Sequence, residues 1–130
     1  MKRHTNNINI LIIDDDANIR QTLNDILTEE GYKITDGGTI AFAREELIKK
    51  FYNIVLVDIK LSNGSGLELL KEIKRINEEI MVIVFTGLES SDNAVSASEE
   101  GVFAYLQKPF NIDELKITIK KALKMQFSNN

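Results

Sequence analysis

The chain has 130 residues of which 43% are hydrophobic, the size of one domain with enough apolar content for a full core. Sixteen Lys and Arg against 20 Asp and Glu leave a net charge of -4, which excludes neither catalysis nor signalling but argues against nucleic acid or a membrane surface as a partner of this domain. With no Cys there are no disulfides, thiolate metal sites or cysteine nucleophiles; no run reaches the ~18 apolar residues of a membrane span, and a cytoplasmic location is expected.

Residues 1–7 read as a disordered polar tail, and its His4, the single histidine, as solvated. The domain proper is expected over 8–126. Ile8 to Ile13 is a strand buried on both faces that runs into Asp14, Asp15 and Asp16. Asp16 is placed to cap the helix that follows, with Ile19, Leu23, Ile26 and Leu27 on one face and Gly31 as its stop. Tyr32 to Thr35 is a short strand, Asp36-Gly37-Gly38 a turn, and Thr39 the cap of a helix through Phe51 that turns Ile40, Ala43, Leu47 and Phe51 inward.

Ile54 to Val57 is a third buried run and ends in a lone acid, Asp58. After a loop from Ile59 to Gly66 comes a helix ending near Asn77, with Leu67, Leu70 and Ile73, or Leu69, Ile73 and Ile76, as its buried stripe. Ile80 to Phe85 is the longest apolar run, a central strand that leads to Thr86-Gly87. A helix over 90–101 has only Ala94, Val95 and Ala97 as its apolar face, so it buries little area. Val102 to Leu106 is the fifth strand, followed by Gln107-Lys108-Pro109-Phe110, in which the Lys108–Pro109 bond is a candidate cis peptide. Asn111 caps a last helix with Leu115, Ile119, Ala122 and Leu123 inward and Lys116, Lys120, Lys121 and Lys124 on the solvated side; residues 127–130 are a frayed end or the start of a linker.

Alternating strands and helices predict an α/β fold, a flavodoxin-like (βα)5 doubly wound domain whose five-stranded parallel sheet has order 2-1-3-4-5 and helices on both faces. In that order the C-terminal ends of strands 1 and 3 flank the switch point, so Asp14, Asp15 and Asp58 converge, and strands 4 and 5 bring Thr86 and Lys108 to the same edge. Three carboxylates ~5 Å apart repel by roughly 3 kcal/mol per pair at an effective dielectric of about 20. A hard divalent cation and the Lys108 ammonium are the remedy, and an oxygen-only ligand set suits Mg²⁺ or Mn²⁺. Such a site favours a phosphoryl group, with Asp58 as carboxylate nucleophile, Thr86 donating to a phosphoryl oxygen and Gly87 leaving the site open.

The ordered set Asp14-Asp15, Asp58, Thr86-Gly87 and Lys108-Pro109-Phe110 resembles the receiver domain of two-component response regulators over Asn9 to Met125. The resemblance implies that a histidine kinase or histidine phosphotransfer protein donates phosphate to Asp58, and that the domain catalyses its own phosphotransfer and dephosphorylation. It implies Mg²⁺, replaceable by Mn²⁺, on Asp15, Asp58 and the Lys60 backbone carbonyl, with Asp14 acting through water. Lys108 and Thr86 then complete the catalytic set, Thr86 and Tyr105 are the switch pair, and Lys60, Gly87 and Leu88 modulate the site. Helix 4, strand 5 and helix 5, roughly residues 91–124, become the surface for an output domain or a homodimer. Two departures stand out: Ser62, then Ser65-Gly66, replace the family's usual Pro and Asp-Gly, and Lys60, two residues past the acceptor, is expected to slow autodephosphorylation.

Two other readings compete. Asp14-x-Asp16 after strand 1 resembles haloacid-dehalogenase-type phosphatases, with Asp14 as nucleophile, but leaves Asp58 without a role. A phosphate-independent docking domain on the same fold would not need the acceptor, the acids, Thr86 and Lys108 together.

Overall fold

The computed structural model describes residues 7–61, 64–87 and 101–128. Five strands, β1 (Asn9–Ile13), β2 (Lys33–Gly37), β3 (Ile54–Asp58), β4 (Met81–Thr86) and β5 (Ala104–Gln107), form one parallel sheet in the order β2-β1-β3-β4-β5. Among the described residues the helices are α1 (Ala17–Glu29), α2 (Ile40–Lys49), α3 (Gly66–Ile76) and a C-terminal helix, Ile112–Ser128.

The apolar runs that predicted buried strands divide between two cores because successive side chains point to opposite faces. Leu11, Ile13, Val55, Val57, Val82 and Val84 meet Ile40, Ala43 and Leu47 of α2 and Leu69, Leu70 and Ile73 of α3. On the other face Ile10, Ile12, Ile54, Leu56, Ile83 and Phe85 meet Leu23 and Leu27 of α1 and Leu115, Ile119, Ala122 and Leu123 of the C-terminal helix. The central strands are therefore covered on both sides, as their lack of polar alternation requires.

Caps set where the helices begin. Asp16 accepts the backbone N–H groups of Asn18 and Ile19, Thr39 that of Phe42, and Ser65 that of Leu67. Ser65 thus performs the capping role at α3 that an Asp would otherwise fill.

Four local expectations change. β2 begins at Lys33 and continues through Asp36 and Gly37, which were expected in a turn; both pair with β1, opposite Ile12 and Ile13. α2 stops at Lys49 because Lys50 is extended, so Phe51 is 42% exposed while Tyr52 is fully buried, its phenol donating to Glu46 Oε1 at 2.6 Å. Ile76, the last residue of α3 before Asn77 turns extended, is exposed, and the stripe is Leu69, Leu70 and Ile73. The loop after β3 contains a two-residue antiparallel ribbon, Lys60–Leu61 with Gly64–Ser65.

The edge of the sheet where the strands begin holds a buried amide network. Asn53 Oδ1 accepts the Asn9 backbone N–H at 3.0 Å, and its Nδ2 donates to Gln126 Oε1 at 3.0 Å. Gln126 Nε2 donates in turn to the carbonyls of Asn53 at 3.0 Å and Glu79 at 2.8 Å. The last turns of the C-terminal helix are thereby fastened beneath β3 and β4, and Phe127 packs against the core there.

Candidate functional site

At the opposite edge, where the strands end, β1 delivers Asp14 and Asp15, β3 delivers Asp58, and the segment after β5 delivers Lys108. Neighbouring strands in parallel register place these ends side by side, since Ile13 lies opposite Val57 and Asp58 opposite Phe85. One carboxylate oxygen from each of Asp14, Asp15 and Asp58 falls within 4.8 Å of the others. The Lys108–Pro109 bond is cis, and Phe110 stacks on Phe85 with ring centroids 5.1 Å apart.

Lys108 ties the acids together. Its ammonium donates to Asp14 Oδ2 at 2.8 Å and to Asp58 Oδ2 at 2.9 Å. Asp14 is fully buried, and its other oxygen accepts the Asp16 N–H at 2.9 Å; Asp58 Oδ1 accepts the Lys60 N–H at 3.1 Å. Burial pushes the Asp58 carboxyl above its usual range, only partly offset by the hydrogen bond and charge of Lys108 and the Lys60 amide, with the charge of Asp14 adding to the rise. Burial alone would lower Lys108, but the hydrogen bonds and charges of Asp14 and Asp58 outweigh it and hold the ammonium above its usual range.

Three carboxylates with one ammonium leave a formal charge of about minus two around a cluster that offers only oxygen, a donor set and charge that fit a hard divalent cation. Asp15 is exposed and Asp58 partly buried at this edge. Asp14 is fully buried whereas Asp58 keeps part of its side chain exposed, which disfavours Asp14 as a nucleophile.

Comparison with known proteins decides the family. The sequence profile of the response regulator receiver domain matches residues 10–120. The chain belongs to that family. Sporulation initiation phosphotransferase F of Bacillus subtilis (strain 168) is 35% identical over 120 residues, covering 92% of this chain and 97% of that protein. The transcriptional regulatory protein ZraR of Klebsiella oxytoca is 36% identical over 116 residues, 89% of this chain and 26% of ZraR, so the chain spans about a quarter of that relative's length. The solved structure of a CheY-like receiver domain protein from Methanospirillum hungatei JF-1 has a TM-score of 0.91 at 33% identity, covering 95% of this chain and 98% of that one.

The receiver domain is a phosphorylation-activated signalling switch of a two-component system, which implies a kinase or phosphotransfer protein as its partner. Neither the phosphatase reading nor phosphate-independent docking is favoured. Among the described residues no helix is long and apolar enough to cross a membrane.

The remaining expected site residues fall as follows. Thr86 ends β4 with its backbone opposite Gln107, and Gly87 follows at the same edge; the Thr86 side chain lies outside the described residues. So do Leu88 and the helix expected over 90–101, up to residue 100. Tyr105 is 50% exposed on β5, and the Lys60 side chain is exposed beside Asp58. Sequence reasoning missed Arg20 and Asp36 behind the acids. A basic residue on the first turn of α1 and an acid just before a Gly-Gly pair were the available signals, but nothing in their spacing indicated that they meet.

Proposed function

We propose that Asp58 is the phosphoryl acceptor, and that Asp15, Asp58 and the Lys60 carbonyl hold Mg²⁺, or Mn²⁺ in its place, with Asp14 acting through water. The observation that carries this reading is the Lys108 ammonium, bonded at once to Asp58 at 2.9 Å and to the buried Asp14 at 2.8 Å. It leaves Asp58 anchored, ionisable and at the open edge of the sheet. The cation, when bound, neutralises phosphoryl oxygens as they approach the acids. An Asp58 carboxylate oxygen attacks phosphorus, the P–N bond of a phosphohistidine donor breaks, and the imidazole leaves with the bonding electron pair. Lys108 turns part of its charge to the new phosphoryl group, and the Thr86 hydroxyl donates to it. Autodephosphorylation is the attack of water on the same phosphorus, returning the Asp58 carboxylate and releasing inorganic phosphate.

The signal leaves through Thr86 and Tyr105. The hydroxyl moves toward the phosphoryl group, the tyrosine ring turns inward, and residues 91–124 engage an output domain or a second copy. The domain comprises residues 8–126 and works in the cytoplasm. The test is labelling with acetyl phosphate or beryllofluoride in Mg²⁺, followed by mass spectrometry for acetyl phosphate and fluorine NMR for beryllofluoride. Modification of Asp58, lost in Asp58→Asn and in EDTA, is expected; modification at Asp14, or none in the wild type, overturns the reading.

A further inference from the structure

The acidic pair is held from behind by a side chain that the phosphoryl chemistry does not use. Arg20, on the first turn of α1, reaches back beneath the β1–α1 loop, and its Nη1 donates to the backbone carbonyl of Asp14 at 2.6 Å. That carbonyl belongs to the peptide joining Asp14 to Asp15, so the bond fixes the plane from which the Asp15 side chain departs. The preceding amide is fixed as well, since Asp14 N–H donates to the Gly37 carbonyl at 3.2 Å. With the Asp14 carboxylate bonded to Asp16 and Lys108, its backbone and side-chain polar groups all have partners.

Arg20 is itself held in place. Its Nε donates to Asp36 Oδ1 at 3.2 Å, while Asp36 Oδ2 accepts from Asn24 Nδ2, one turn further along α1, at 2.7 Å. Arg20 and Asp36 are both about three-quarters buried, with side-chain exposures of 22% and 26%. Gly38 leaves the space the guanidinium occupies, since a Cβ there would lie 2.9 Å from Arg20 Nη1. The planar fork bonds a carbonyl and a carboxylate together, which a lysine ammonium cannot reproduce in the same geometry.

We infer that Arg20 is a positioning residue for cation binding: by holding the Asp14 carbonyl against Asp36 it aims the Asp15 carboxylate at the point shared with Asp58. This rests on the reading of the acids as a divalent cation site. The sign of the effect separates position from charge. A guanidinium near the acids opposes a cation electrostatically, so loss of its charge alone would tighten binding, whereas loss of positioning weakens it.

The experiment measures Mn²⁺ affinity by electron paramagnetic resonance on the whole chain, for the wild type, Arg20→Met, Arg20→Lys, Gly38→Ala and Asp15→Asn, with apo-state urea unfolding as a check on folding. Roughly tenfold weaker binding is expected for Arg20→Met and Gly38→Ala, the scale on which groups that orient metal ligands act. Arg20→Lys, which keeps the charge but not the fork, is expected to recover little. Because Gly38→Ala displaces the guanidinium without removing it, parallel losses in the two folded variants point to its placement. Unchanged or tighter binding in Arg20→Met, with binding lost in Asp15→Asn, overturns the role of Arg20 and leaves the cation site standing. Wild-type binding that is absent, or untouched by Asp15→Asn, overturns the cation site and the inference with it.

Discussion

Burial sets the terms for Asp58, raising its carboxyl against the partial relief from Lys108 and the Lys60 amide. An acid whose pKa is higher in the folded state than in the unfolded one costs stability once it ionises, so the ionised Asp58 is a strain the fold carries at neutral pH. Asp58→Asn is therefore expected to raise the melting temperature in EDTA. Mg²⁺ should then stabilise the wild type and leave the variant unmoved, which a thermal scan with and without the ion checks. Lys60 stands two residues beyond the proposed acceptor with its side chain exposed, and its proposed role is to hold the phosphoryl group or obstruct incoming water. Lys60→Ala is expected to speed loss of phosphate from Asp58 several-fold, read from the decay of labelled protein; an unchanged rate would refute that role.

Among the elements, α3 begins closer to the end of β3 than its residues suggest. A Cβ on Gly66 would collide with the carbonyl oxygen of Asp58 and lie 3.0 Å from Ile59 Cα, both backbone atoms that cannot step aside alone. Gly66→Ala is expected to cost about 1–3 kcal/mol, the usual scale of overpacking, and to weaken cation binding by shifting the end of β3. Urea unfolding and Mn²⁺ titration measure the two effects. The start of α2 was readable from Thr39, but its end was not. Phe51 and Tyr52 are adjacent aromatics, and which one turned inward depended on Lys50 going extended and on a phenol reaching Glu46. The strand through Asp36 and Gly37 was hidden by residue types that usually mark turns, and pairing with β1 overrode that local preference.

For the whole molecule, Tyr52 supplies a limit at high pH. Burial, then the hydrogen bond and charge of Glu46, push its phenol up to about 12 from an ordinary value of 10.0, so the folded state keeps a proton that the unfolded chain loses first. Its contribution to stability is complete below about pH 10 and is lost between there and about pH 12. Tyr52→Phe should flatten that part of the pH–stability curve, as measured by urea unfolding at stepped pH. What could be read in advance was the sheet and the acids along one edge, because strands buried on both faces exclude polar residues until they end. Arg20, Asn53 and Gln126 escaped notice for the converse reason. A long polar side chain looks the same in sequence whether it meets water or a partner 16 or 73 residues away, as Arg20 meets Asp36 and Gln126 meets Asn53.

That amide network also fixes the molecule's polarity in a practical sense. Residue 7 leads into β1, and the last turn of the C-terminal helix is fastened beneath Asn53 and Glu79, so both described ends of the chain leave from the edge opposite the acids. Protein tethered to a sensor surface through either end presents its carboxylates to the bulk solution, free to meet a soluble donor.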